Sequence, residues 1–107
     1  MLTRTIGCWC ALRSQEAARR IINTKAINAG QTCIAPDYVL VDEARHDALL
    51  SCLQSEMRAQ FGDEPFASKD YGRMCSVTHF DRMVDLLHQS GGEQIRIGSS
   101  PPDRATK

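Results

Sequence analysis

Two short runs of strand-forming residues, each set between helical segments, constrain this chain more than any other feature. Tyr38-Val39-Leu40-Val41 follows the turn formers Pro36 and Asp37 and reads as a buried strand, and Ile95-Arg96-Ile97 reads as a second short one. Strands separated by helices predict an α/β unit, with a right-handed crossover between parallel neighbours. The order is helix, strand, helix, helix, strand, with no internal repeat. Two such short strands make a poor sheet alone. The expected architecture is a slice of a larger α/β domain carrying an incomplete parallel sheet.

The helical segments are read from apolar spacing and from their ends. Ala18, Ile22, Ala26 and Ala29 recur at helical intervals between Gln15 and Ala29, with Ser14 as the cap, Glu16 in the first turn and Gly30 as the stop. Leu50, Leu53, Met57 and Phe61 form one stripe of a second helix over Arg45 to Phe61, ended by Gly62. Asp63 to Ser76 mixes charges, Pro65, Gly72 and aromatics, which predicts a loop with one helical turn at most. A third helix starts at Thr78 or His79, where Thr78 and Asp81 have capping-box spacing. Phe80, Met83, Val84 and Leu87 supply its buried face, and Gly91-Gly92 ends it.

Composition narrows the function classes. The 107 residues fit one small domain at most and bury a smaller share of surface than a mid-sized domain does. Thirteen basic and thirteen acidic residues cancel, whereas a nucleic-acid binder ordinarily carries a basic excess for phosphate. No apolar stretch approaches the roughly 20 residues of a membrane span. The apolar patch within Met1 to Leu12 is too short for a signal-peptide core and is followed by no cleavage pattern. Five cysteines at irregular spacings are an odd number for a disulfide framework, so free thiols in a reducing compartment are expected.

Chemistry concentrates in Asn28-Ala29-Gly30-Gln31-Thr32-Cys33-Ile34-Ala35-Pro36-Asp37, where a cysteine lies three residues past a helix-ending glycine and just before a strand. Connections of this kind display catalytic side chains. Spacing alone leaves open that Cys33 is a small buried hydrophobe, the usual fate of a free cysteine. The longer run Lys25 to Asp42 closely resembles the active-site segment of aldehyde dehydrogenases. Ile34-Ala35-Pro36-Asp37-Tyr38 after the cysteine is similar to the branch containing the fatty aldehyde dehydrogenases. Ala18-Arg19-Arg20-Ile21, Asp70-Tyr71-Gly72-Arg73 and His79-Phe80-Asp81-Arg82 resemble further family segments, and Asp103 to Lys107 does so loosely.

The resemblance implies a partial aldehyde dehydrogenase catalytic domain over residues 15–98, preceded by a divergent, poorly ordered segment 1–14 and followed by a flexible end 99–107. It implies that Cys33 is the nucleophile. A thiolate adds to the aldehyde carbon, and hydrogen-bond donors, one of them the cysteine's own backbone N–H, hold the oxyanion. Hydride then passes to NAD or NADP, and water hydrolyses the thioester. The family's general-base glutamate in Glu-Leu-Gly-Gly-Lys has no counterpart in Met1 to Arg13, where only Gly7-Cys8-Trp9 faintly resembles the stretch after it. No G-x-G-x-x-G loop and no Glu-Glu-x-Phe-Gly-Pro segment is present either. NAD or NADP is therefore expected to serve the parent family and not to bind these residues, and aldehyde oxidation by them alone is not expected. An alternative start, a misjoined exon or a gene remnant would each account for the mismatched beginning. The resemblance further implies an aldehyde substrate and a cytoplasmic protein, in a branch whose members can hold membranes through a tail.

Other constellations are weaker. Cys8 and Cys10 flank Trp9 without a second ligand pair at zinc spacing, and His46, His79 and His88 are dispersed over helices, so no metal is expected. A Cys33–His79 dyad is conceivable, but the resembled mechanism does not employ one. Arg45, Asp47, Glu56 and Arg58 read as a solvated face of the second helix. Helix stripes left uncovered by a missing sheet would favour aggregation or a partner, including full-length relatives; a non-catalytic interaction module is the competing reading.

Overall fold

The computed structural model describes residues 14–106. The expected divergent segment, with Cys8, Trp9 and Cys10, lies outside the described residues except for Ser14. Three α-helices carry the described chain: α1 (Ser14–Lys25), α2 (Glu43–Phe61) and α3 (Val77–Gln89). Short 3-10 turns occupy Ile27–Gly30 and Pro65–Ala67, the second being the one turn expected in the Asp63 to Ser76 loop.

The core lies between α1 and α2. Ala17, Ala18 and Ile21 are buried on α1, and Leu49 is buried on α2. Ala17 and Ala18 offer only methyl groups, so α2 can approach closely and seat Leu49 against them, with Val39, Cys52 and Leu53 packed around the contact. Of the expected stripe Ala18, Ile22, Ala26 and Ala29, Ala18 is buried as expected, Ile22 is half-buried beside the buried Ile21, and Ala26 and Ala29 lie beyond the helix end. Two polar contacts brace the pair at its rim: Gln15 Nε2 donates to Glu56 Oε2 at 2.8 Å, and Gln60 Nε2 donates to Asn23 Oδ1 at 2.6 Å.

The helix ends follow side-chain chemistry. Asp42 caps α2 by accepting from Ala44 N at 2.9 Å, which starts the helix two residues before the expected Arg45. Ser76 caps α3 by accepting from His79 N at 3.2 Å. The expected Thr78–Asp81 capping box does not form, because the extended residue with the free hydroxyl is Ser76, and Asp81 is held instead by Arg104 at 2.8 Å. The helix α1 ends at Lys25 rather than Ala29, since Asn28 and Ala29 are left-handed.

The sheet is corrected. Among the described residues there is no β-ladder: Val39 takes part in a single bridge, and Ile95 to Ile97 is irregular. A strand exists by exchanging backbone hydrogen bonds with neighbours, and the described chain provides no partner strand. Tyr38, Leu40 and Val41 are accordingly exposed, Leu40 to 66%. The expected buried face of α3 is corrected for the same reason. No residue of α3 is buried, and Met83 and Leu87 are exposed, because no layer of the described residues packs over that helix.

The segment after α3 is fastened by polar contacts. The half-buried Glu64 carboxylate accepts from Ser99 N at 2.7 Å, from the Ser99 hydroxyl and from Ser100 N at 3.4 Å. Gly98 makes this possible: its φ is +93°, and a Cβ there would stand 2.8 Å from Glu64 Oε2. Donation by the Ser99 hydroxyl and backbone pulls the Glu64 carboxyl down to about 2, from an ordinary 4.5. A folded-state value below the unfolded one favours the folded chain when the carboxylate is ionised, so this stabilisation is complete above pH 4.5 and lost as pH falls through 2. Glu64→Gln should flatten the decline of melting temperature across that window, read by circular dichroism. Part of the decline should survive in the variant, because Arg104 also lowers Asp81 and Arg20 and Arg19 also lower Glu16. An unchanged acid limb would show that the contact contributes nothing.

Candidate active-site loop around Cys33

The loop carrying Cys33 is built on a left-handed turn. Asn28 has φ 51° and ψ 38°, Ala29 has φ 55° and ψ 33°, and Gly30 has φ 79°. Three such residues in succession reverse the chain directly after α1. For Ala29 this conformation costs on the order of 1–2 kcal/mol, because its Cβ crowds the following carbonyl. The turn is fastened from within by Ala29 N donating to Ala26 O and Gln31 N donating to Asn28 O, both at 3.1 Å.

Cys33 then sits in a β-turn closed by Ala35 N donating to Thr32 O at 3.1 Å. Its thiol is free and exposed, and Pro36 just beyond is buried. The backbone N–H of Cys33 has no hydrogen-bond partner among the described residues. The bland reading, a cysteine used as a small core hydrophobe, fits Cys52 and not Cys33: Cys52 packs with Leu53 against the α1–α2 core. No histidine is bonded to Cys33. His79 sits at the start of α3 with its backbone tied to Ser76, and His46 Nδ1 lies 2.9 Å from Asp47 Oδ1 on the surface of α2.

A second loop, remote in sequence, is packed onto the first. Gly72 is pressed against the left-handed turn: a Cβ there would lie 3.1 Å from Ala29 N and 3.2 Å from Asn28 C and Cα. Tyr71 meets Phe61, at the end of α2, edge to face with ring centroids 5.1 Å apart, and burial pushes its phenol pKa up. Arg73 turns its guanidinium back to the carbonyls of Phe66, Tyr71 and Gly72. Gln31 joins the two loops. Its Nε2 donates to Asn28 O at 2.8 Å and Arg73 O at 3.0 Å, while its Oε1 accepts from Cys75 N at 2.9 Å. The sequence reading quoted Gln31 only as part of a motif and missed this role. The only available signal was an amide side chain set between a glycine and a cysteine.

Cavities of about 270 and 200 Å³ lie along α3, lined by Phe80, Leu87, Arg96 and Pro102 among others, and neither is lined by Cys33. Among the described residues no glycine-rich turn opens a helix, and the start of α2 is capped by a carboxylate, Asp42. Among the described residues no group of three or more His, Cys, Asp or Glu side chains could hold a metal, and no helix is long and apolar enough to cross a membrane.

The strained alanine and the crowded glycine predict opposite mutational effects. Ala29→Gly should raise stability by about 0.5–1 kcal/mol, the relief of a left-handed alanine less the added freedom of the unfolded chain. Gly72→Ala should lower it by about 1–3 kcal/mol, since the new methyl meets backbone that cannot move aside. Urea melts of both variants check the pair, and equal effects of one sign would contradict this geometry.

Comparison with known proteins agrees with this arrangement. The model of the aldehyde dehydrogenase family matches residues 11–105. A 4,4'-diapolycopene-4,4'-dial dehydrogenase of Cytobacillus firmus is 38% identical over 87 residues, 81% of this chain and 18% of that protein. Aldehyde dehydrogenase family 3 member A2 of Rattus norvegicus is 37% identical over 91 residues, 85% of this chain and 18% of that protein. In structure, the substrate-bound state of Staphylococcus aureus AldH superposes with a TM-score of 0.80 at 35% identity, covering 88% of this chain and 20% of that one. The chain spans about a fifth of the length of the relatives it matches. With a family match over nearly the whole sequence and a superposable fold, this chain belongs to the aldehyde dehydrogenase family.

Proposed function

We propose that these residues are the nucleophile-bearing part of an aldehyde-oxidising catalytic domain, with Cys33 as the attacking thiol. The observation that carries the reading is the exposed Cys33 thiol in a closed turn, on a loop whose sequence matches the family. The thiolate adds to the aldehyde carbon, forming a C–S bond as the carbonyl π electrons move onto oxygen. The N–H of Cys33, without a partner among the described residues, is available in this reading to donate to that oxyanion. The aldehyde is apolar in this reading: Ile34 beside the thiol is 60% exposed, Ile27 is 59% exposed, and the diapolycopene-dial dehydrogenase is named for an apolar dialdehyde. NAD or NADP, a general-base glutamate and the strands that would pair with Tyr38 to Val41 belong to the rest of a family catalytic domain. Oxidation to the acid therefore requires more than these 107 residues. A cytoplasmic location follows from the family reading alone.

A chimaera tests this proposal. Residues 16–97 are exchanged for the matching stretch of the Staphylococcus aureus enzyme, and NAD(P)-linked aldehyde oxidation is followed by absorbance. The chimaera should oxidise aldehydes, and Cys33→Ser should lower kcat at least a thousandfold. A folded chimaera that binds cofactor yet is inactive, or a serine variant that keeps its rate, sinks the assignment. The 107 residues alone should form no NADH.

A second reading, a non-catalytic module that binds full-length relatives, is favoured by the apolar surface left open on Leu40, Val41, Met83, Leu86 and Leu87. It predicts co-migration of the chain with a full-length family enzyme in size-exclusion chromatography. Separate elution at micromolar concentrations of both would remove it.

A further inference from the structure

The geometry points to Gln31 as the positioning residue of the Cys33 turn, a side chain that locks the nucleophile's loop to the Tyr71–Cys75 loop through two hydrogen bonds and fastens its own loop through a third. The inference deepens the reading of Cys33 as the nucleophile and rests on it. One amide satisfies three backbone groups drawn from two segments 42 to 44 residues apart in sequence: Asn28 O, Arg73 O and Cys75 N. Both ends of the amide are used in their chemical sense, the NH₂ toward two carbonyls and the oxygen toward an N–H. A carboxylate would lose both donations, and a methionine of equal length would lose all three.

The arrangement explains how an otherwise costly backbone persists. Asn28 and Ala29 are left-handed, and the carbonyl that Asn28 thereby presents receives both Gln31 N and Gln31 Nε2. Gly72 supplies the close approach that brings Arg73 O and Cys75 N within reach of the same amide. Cys33 lies two residues beyond Gln31, in a turn held by one internal hydrogen bond, Ala35 N to Thr32 O. The exposed thiol is buried against nothing, so its placement depends on the residues flanking its turn. Gln31 is the flanking residue anchored outside that turn. It acts on Cys33 by holding the backbone, with no contact to the reacting atoms.

Amide exchange at single residues, measured by NMR on the full chain, tests the inference. In the unmodified chain the Cys75 and Ala35 amides should both exchange at least tenfold more slowly than in an unstructured peptide. Gln31→Met should speed both by roughly tenfold, the loss expected for a few part-buried hydrogen bonds, while the amides of α1 and α2 keep their rates. Gln31→Glu should keep the Cys75 amide slow, because its carboxylate still accepts that N–H, and should speed Ala35. A role in filling space would leave methionine equal to glutamine. Three results overturn the inference: a Cys75 amide already as fast as a free peptide in the unmodified chain, no change in Gln31→Met, or a change at Cys75 without one at Ala35. None depends on thiol chemistry. Alkylation by iodoacetamide on the same unmodified sample separates the two readings: Cys33 reacting no faster than Cys75 removes the nucleophile reading and leaves the clamp standing.

Discussion

The seating of Leu49 on the two alanines of α1 is the contact from which the described structure grows. Among the described residues the buried core is Ala17, Ala18, Ile21 and Leu49, so hydrophobic stabilisation is concentrated where α1 meets α2. Small residues are required there, since any larger side chain at Ala18, which has no exposed surface, would push the helices apart. Beyond this pair polar contacts predominate, with the Tyr71 ring on Phe61 as an apolar addition. The left-handed turn, the Tyr71–Cys75 loop and the segment after α3 are fastened by side chains reaching backbone groups: Gln31, Arg73 and Glu64. Such bonds contribute about 1 kcal/mol each, so the distal loops are far more easily opened than the helix pair.

That division explains what was legible in the residues. The three helices were readable because each has a periodic apolar face and a glycine or capping side chain near its ends, and these are local signals. Their offsets have local causes too: Asp42 and Ser76 outcompete the residues expected to start α2 and α3, and the left-handed Asn28 and Ala29 stop α1 early. The two strand runs were expected to make a poor, incomplete sheet, and the described residues form no ladder at all. Tyr38 to Val41 has strand composition, but a strand is a relation between segments, and among the described residues Val39 alone is in a bridge and there is no ladder. The α3 stripe, expected as a buried face, is exposed among the described residues, since periodicity records the face a helix can bury, whether or not a covering layer is present.

Cys33 was legible at two levels. Its place after a helix-ending glycine put it on a connection, and family resemblance supplied a chemical role. Geometry adds that the thiol is exposed while Cys52 takes the packing role. Gln31 was not legible, because nothing in Gly30-Gln31-Thr32-Cys33 says where the amide points. Its partners Arg73 and Cys75 lie some forty residues away, and only the packing of Gly72 against Asn28 and Ala29 brings them near.

A loop fixed by polar clamps rather than by burial suits a nucleophile. A cysteine packed into a core as Cys52 is would be well placed but closed to substrate, and a cysteine on a free loop would be open but badly placed. Side-chain-to-backbone bonds resolve the conflict, since they restrain the chain from one side and leave the thiol uncovered on the other. They also restrain it independently of whatever layer covers the exposed faces of Leu40 and α3. Of the parts a family active site needs, the pose of the cysteine turn is therefore the one these residues can set by themselves.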